Sequence, residues 1–200
     1  ELKYAVRRQE ETIYHRQLKM TSPALNRFRD LVLYNLEAGQ AVLTDNNDIR
    51  IYTDGKEKFH ALIEEMKRAK KYIHVQYYII RNDEVWQDIE KVLIEKAHEG
   101  VEVRVLFDSM GCRTMHKRDW DRLKCEGIRV AEFFPAILGQ LQMRVNYRNH
   151  RKIVVIDGKV GFVGGFNVGR EYIGKDEKFG YWRDTHICLE GSAVLSLAIR

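Results

Sequence analysis

The apolar positions change period along the chain, and each change marks an element. Ser22-Pro23 is a helix cap followed by proline at the first helical position, and Leu25, Phe28, Val32 and Leu36 then step at helical spacing until Gly39. Ile49–Thr53 predicts a strand, and Phe59, Leu62, Ile63, Met66 and Ala69 mark one face of a helix. Lys71–Ile80 predicts a buried strand. Val85, Trp86, Ile89, Val92, Leu93 and Ala97 form the next helix face, stopped by Gly100. Val101–Phe107 predicts a strand, Trp120 and Leu123 a short helix closed by Gly127, and Ile128–Phe133 another strand. This alternation predicts an α/β domain with a largely parallel sheet flanked by helices.

The last third has a different rhythm. Ile153-Val154-Val155-Ile156 and Val160–Val163 flank Asp157-Gly158-Lys159, and Asp-Gly between apolar runs is a hairpin signal. Thr185–Leu189 predicts one more strand. Ala193–Ile199 opens an apolar helix that meets no glycine, proline or polar stop, so the domain reads as cut at its C-terminal end. At the other end, the first twenty residues carry five basic and three acidic side chains among thinly spaced apolar ones. Residues 1–21 therefore read as a charged linker or helix, and 22–200 as one half-domain.

Composition narrows the classes without choosing one. The 200 residues are 44% hydrophobic and 32% charged with two prolines, which excludes a disordered or low-complexity chain. The net charge of +5 suits an anionic partner such as phosphate, a lipid headgroup or nucleic acid. Cys112, Cys125 and Cys188 are odd in number and form no CxxC pair, so a disulfide framework is not expected. Cys112, His116 and Cys125 lack a fourth ligand and match no common zinc spacing. No apolar run approaches the roughly 18 to 20 residues that span a bilayer, and the chain as given reads as soluble.

The chemistry concentrates in Tyr147-Arg148-Asn149-His150-Arg151-Lys152-Ile153. On an extended strand, residues i and i+2 share a face, so His150 and Lys152 aim an imidazole and an ammonium at a common point. The cation keeps the imidazole neutral and able to attack phosphorus, while the ammonium neutralises charge on phosphoryl oxygens. An exposed hairpin with Asp157 as its turn residue fits those three residues equally well. Downstream, Gly164-Gly165-Phe166-Asn167 offers close backbone approach to an anion and an amide donor, or simply a glycine bulge at a strand end. No GxGxxG is present. Gly169–Asp176 misses a P-loop because Asp176 stands where the magnesium-binding Ser or Thr is required.

Together these residues spell H-x-K-x4-D-x6-G-G-x-N, and the chain resembles the phospholipase D superfamily over roughly residues 20–200. Within it the wording of Asn149–Lys152, Gly164–Tyr172, Tyr181–His186 and His74–Asp83 is most similar to the bacterial cardiolipin synthases. Gln76 stands where those enzymes often carry an acidic residue. The resemblance implies a phospholipase D-like α/β sandwich with a mixed sheet, forming one half of a two-half enzyme. It implies that His150 is one of two catalytic histidines, either the nucleophile or the acid/base opposite it. The first-copy histidine is commonly given the nucleophilic role. It implies that Lys152, Asn167 and Gly165 bind the phosphoryl group, and that Asp157 either holds the constellation or shapes the hairpin. No metal or other cofactor is implied.

The implied reaction is phosphatidyl transfer between two phosphatidylglycerols through a phosphatidyl-histidine, at the bacterial cytoplasmic membrane. The anchoring segments of such enzymes and a second H-x-K-x4-D are not found in these residues. One histidine cannot serve both faces of a displacement at phosphorus, so a second motif-bearing half or a dimer mate is expected. His186 could line the site or be a structural strand residue. Tyr77, Tyr78, Tyr147 and Trp182 could rim a lipid entrance or belong to the core. Two rival readings are a dimeric phosphodiesterase or nuclease of the same superfamily and a non-catalytic half-domain that binds anionic lipid. Nucleic acid is the less expected partner, since basic residues are not clustered among aromatics.

Overall fold

Four apolar residues in a row, Ile153–Ile156, require a strand covered on both faces, and the fold is built around that strand. The computed structural model describes Arg7 and residues 23–39, 41–133 and 148–198. In chain order the elements begin with α1 (Pro23–Arg27), α2 (Arg29–Gly39), β1 (Asn47–Tyr52), α3 (Gly55–Lys67) and β2 (Tyr72–Tyr77). Next come α4 (Glu84–His98), β3 (Glu102–Asp108), α5 (Lys117–Cys125) and β4 (Arg129–Phe133). The last group is β5 (Ile153–Ile156), β6 (Val160–Gly164), a 3-10 turn (Arg170–Ile173), β7 (His186–Gly191) and α6 (Ala193–Ala198). Apart from Arg7, the expected charged segment 1–21 lies outside the described residues, as does Tyr147.

Among the described residues the strands form one seven-stranded sheet in the order β1-β7-β6-β5-β2-β3-β4. The expected mixed sheet flanked by helices is present. Parallel pairing is narrower than the strand–helix alternation predicts. It joins β2 to β3 and β3 to β4, where helices make the crossovers, while β5 lies antiparallel to both β2 and β6. The Asp-Gly hairpin folds β6 back antiparallel beside β5, and β7 and β1 continue the antiparallel order beyond it.

The alternation of β5 divides the core. Val154 and Ile156 join Phe59, Leu62, Met66, Trp86, Ile89 and Leu93 from α3 and α4 in the larger cluster. Ile153 and Val155 turn to the opposite face, where Leu189 and Val194 cover them. Lys152 and His150 share the parity of Val154, so the sheet that buries those residues also sets which way the basic pair points. Both α3 and α4 begin on an aspartate cap: Asp54 accepts from the Lys56 and Glu57 amides, Asp83 from those of Val85 and Trp86.

Asp157 closes the far end of β5. It adopts φ +54° at the turn, and its carboxylate accepts the backbone N–H groups of Lys70, Lys71 and Tyr72 at 2.8, 2.7 and 2.9 Å. Burial acts to raise its pKa, but these three amides and Lys159 outweigh burial and hold it below the ordinary carboxylate value. A lowered folded-state pKa means that the stabilisation is complete above the unfolded pKa and is lost as pH falls through the folded one. Asp157→Ala is expected to destabilise the chain by about 1–3 kcal/mol at neutral pH, because three amides lose a charged acceptor. Urea unfolding at pH 7 and at pH 3 checks this, with the difference between variant and parent shrinking at the acid pH.

Candidate active site

The site lies where the C-terminal ends of β2 and β3 meet the N-terminal end of β5, since β5 runs antiparallel to β2. His150 and Lys152 precede the first residue of β5, yet the backbone is extended enough to bring them together. Lys152 Nζ is 2.9 Å from His150 Nε2 and donates to the His150 carbonyl at 2.9 Å. Lys152 is buried and His150 is exposed, so the ammonium sits beneath the imidazole. A protonated Lys152 can only donate, which makes Nε2 the lone-pair nitrogen and leaves the ring proton on Nδ1.

Electrostatics follow from that stacking. Burial lowers the Lys152 pKa to about 8, while the Asp184 carboxylate acts to raise it. Burial first and Lys152 second push the His150 imidazole below its usual value, so it is neutral near pH 7. Tyr78 lies against both groups: its ring centroid is 4.7 Å from that of His150, and Lys152 Nζ stands 5.3 Å over the same ring. Tyr78 is in turn held from below, because the Cys112 thiol donates to its carbonyl at 3.6 Å and accepts the Ile80 amide at 3.3 Å.

A second carboxylate positions the approach to His150. Asp108, at the end of β3 and fully buried, accepts the Asn149 amide at 3.1 Å and the Met110 amide at 2.9 Å. Arg148 Nη1 stands 3.8 Å from the same carboxylate. The residue just before the histidine is thereby pinned to the parallel half of the sheet.

Asn167 and Gly165 have partners within the protein. Asn167 Oδ1 accepts the Ile79 amide at 3.0 Å, and Nδ2 donates to the Tyr172 hydroxyl at 3.0 Å, which fixes the amide's orientation. One Nδ2 hydrogen remains for another acceptor. The Gly165 amide is bonded to the Thr185 carbonyl at 2.8 Å. A Cβ at Gly165 would fall 1.9 Å from Asp184 Oδ1, and one at Gly164 would fall 2.4 Å from His186 Cα. The close approach that these glycines permit is therefore made by β7's entrance, and the anion against Gly165 is the protein's own. Asp157 stands a strand length away from Lys152, on the order of 15 Å at about 3.3 Å per residue.

His186 is fully buried beside Gly164, stacked at 6.1 Å on Phe166, and neither ring nitrogen has a hydrogen-bond partner among the described residues. Burial drives its pKa down to about 2, with Lys58 and Lys152 adding to the effect. Lys58 is also fully buried, donates to the Tyr77 hydroxyl at 2.8 Å, and has its pKa lowered well below the usual range by desolvation. The structure thus gathers His150, Lys152, Tyr78 and Asp184 at one mouth, with His186 beneath. Tyr78 and Asp184 acquire their places from cross-strand register. Asp184 was visible only as part of the Tyr181–His186 segment.

Gly165→Ala is expected to push the Asp184 carboxylate away from Lys152. The lysine pKa should then fall below about 8, as it should in Asp184→Asn. Nitrogen-15 or carbon-13 NMR titration of Lys152 in both variants checks this, and an unmoved titration would separate Asp184 from the lysine.

Comparison with known proteins bears on the family and the fold. A family model described as cardiolipin synthase, PLD-like domain, matches residues 62–185. The chain is 46% identical over 199 residues to a cardiolipin synthase of Oceanobacillus iheyensis, covering 100% of this chain and 41% of that protein. It is 45% identical over 195 residues to the major cardiolipin synthase ClsA of Bacillus subtilis, covering 98% and 40%. The chain therefore spans about two fifths of the length of these curated relatives. Among solved structures, NucT from Helicobacter pylori superposes with a TM-score of 0.57 at 15% identity, over 77% of this chain and 92% of that one, which shows a shared fold. With the family model matching well over half of its residues, the chain belongs to the phospholipase D-like domain family of cardiolipin synthases.

Proposed function

We propose that this chain supplies one half of the active site of a phosphatidyltransferase that converts two phosphatidylglycerols into cardiolipin and glycerol. The observation that carries the reading is the buried ammonium of Lys152 held 2.9 Å from the Nε2 of a neutral, exposed His150. The relatives at 45–46% identity, which are named cardiolipin synthases, select the reaction among those such a pair could perform.

The lone pair on Nε2 is the one that Lys152 occupies in the free protein. A bound phosphodiester offers its anionic oxygens to the ammonium, which transfers its hydrogen bonds to them and releases Nε2 to attack. Formation of the N–P bond expels the glycerol alkoxide, which takes a proton from an acid on the opposite face. That acid comes from the second motif, in the remainder of the parent chain or in a dimer mate. A hydroxyl of the second phosphatidylglycerol then loses its proton to the same group and attacks phosphorus, and the P–N bond breaks. Asn167, held by the Ile79 amide and the Tyr172 hydroxyl, offers its remaining Nδ2 hydrogen to the phosphoryl group. Asp157 acts through the hairpin and not on substrate. His186 serves as a neutral group beneath Lys152. The parent protein works at the bacterial cytoplasmic membrane, where its substrates reside. Among the described residues no helix is long and apolar enough to cross a membrane.

The test is conversion of phosphatidylglycerol by the parent protein. His150→Ala should remove cardiolipin and glycerol formation together, by about a thousandfold or more, since a nucleophile has no substitute. Cleavage of DNA without turnover of phosphatidylglycerol would overturn the proposal. The pH dependence of kcat/KM should show an acid limb below 6.5, where His150 takes up a proton, and an alkaline limb near 8, where Lys152 loses one. Lys152→Arg keeps the charge at all working pH values, so any activity it retains should lack the alkaline limb.

A further inference from the structure

The segment between the 3-10 turn and β7 presents large aromatic side chains to solvent beside the active site. Phe179 is 52% exposed and Tyr181 68% exposed. They are not on a loose strand of chain. The Phe179 and Gly180 amides both bond back to the Asp176 carbonyl, at 3.2 and 2.8 Å, and Gly180 turns the chain at φ +61°. The projection of Phe179 is thus set by a closed turn.

From its exposed tip the segment is wired inward by rings. Phe179 meets Trp182 edge-on at 5.6 Å, and Trp182 meets Tyr172 at 5.1 Å. The Tyr172 hydroxyl accepts the hydrogen bond from the buried Asn167, whose Oδ1 holds the Ile79 amide next to Tyr78. Asp184, whose charge supports Lys152, follows two residues after Trp182. The charges on this stretch are also arranged. Lys175 faces Glu84 at 3.5 Å and Asp176 faces Arg170 at 3.9 Å. The remaining charges are the exposed Lys178, Arg183 and Glu177, a net positive set around the two aromatics, with Lys178 Nζ 5.5 Å over the Phe179 ring.

Aromatic side chains flanked by basic ones are the composition that lies at a membrane–water interface, where rings sit at headgroup depth and cations meet anionic phosphates. We infer that residues 174–183 form the element by which this half docks on an anionic bilayer, with Phe179 and Tyr181 entering the headgroup layer and Lys178 and Arg183 contacting lipid phosphates. This rests on the proposed phosphatidylglycerol reaction, because the docked segment stands against the site that would draw its substrate from that bilayer. The charge complementarity, the aromatic type of the exposed residues and their ring-to-ring link through Trp182 and Tyr172 to Asn167 favour a lipid surface over a protein partner.

The experiment is co-sedimentation of this chain with vesicles of phosphatidylglycerol and with vesicles of phosphatidylcholine. The chain should partition onto the first and not the second, and Phe179→Ala/Tyr181→Ala should weaken partition by about tenfold. Lys178→Glu/Arg183→Glu should weaken it comparably at low salt and less at high salt. In the parent protein, the first double variant should lower the ratio of turnover on vesicle phosphatidylglycerol to turnover on a monomeric short-chain form by about tenfold. Vesicle binding unchanged in both double variants would overturn the docking while leaving the reaction intact. Unchanged vesicle binding together with a shift from dimer to monomer in light scattering would overturn it in favour of a protein interface. If the unsubstituted parent turns over neither form of phosphatidylglycerol, the proposed reaction fails, and the sedimentation series still decides the docking.

Discussion

A cation held out of water at the end of the central strand is the constraint around which this half-domain is organised. An ammonium without compensation in such a place would lose its proton or unfold its surroundings. Lys152 keeps its charge near neutrality because three different parts of the chain meet it: the His150 carbonyl and ring, the face of Tyr78, and the carboxylate of Asp184. Each of those parts has its own anchor. Asp108 pins the residue before His150, Cys112 holds the backbone of Tyr78, and Gly164-Gly165 lets the entrance of β7 lie flush against β6. Nearby Lys58 is resolved the other way. It is fully buried with a tyrosine hydroxyl in place of an acid, and desolvation takes its pKa down. Two buried lysines of one domain thus differ in their electrostatic surroundings: Lys58 is the more completely desolvated, and Lys152 alone has an aspartate acting to raise its pKa.

The parts of the site that could be read from the sequence were those close together along the chain. His150 and Lys152 are two residues apart, and the period of an extended backbone brings them to one face whatever the rest of the fold does. The hydrophobic periods also located most strands and helices to within a few residues. The reach of the antiparallel half was less legible, because the strand–helix alternation of the first half says nothing about which neighbour β5 takes. Asp184 and Tyr78 needed the register of β6 against β7 and of β5 against β2, which depends on pairing between distant segments. Asp157 shows the same limitation from the other side. As a residue of the signature it looks like part of the chemistry, while its three hydrogen-bond donors lie more than eighty positions earlier in the chain. The resemblance assigns Gly165 to phosphoryl binding, and the space where its side chain would stand holds the Asp184 carboxylate at the entrance to β7, the next strand in sequence order.

The site's two histidines are treated very differently by their surroundings. His150 has an open side, a defined tautomer and the Lys152 ammonium at its Nε2. His186 has no open side, and no described group meets either nitrogen. Residue type alone would rank them equally. Burial, and the company of two amines, separates an exposed imidazole from one held neutral beside the Lys152 ammonium.

The order of strands also bears on how the polypeptide reaches this state. The first strand, β1, finds its neighbour only in the last, with Asn47 opposite Gly191 and Tyr52 opposite His186. Until Gly191 has left the ribosome, the pairing of β1 is incomplete, and Ile49 and Ile51 wait for Leu189 and Ile187. β2, β3 and β4 with their helices can assemble from local segments as they emerge. The sheet is therefore completed from the parallel half outward, and its closing step is the arrival of the strand that carries His186. On this route the edge of β1 is the stretch most in need of protection during synthesis.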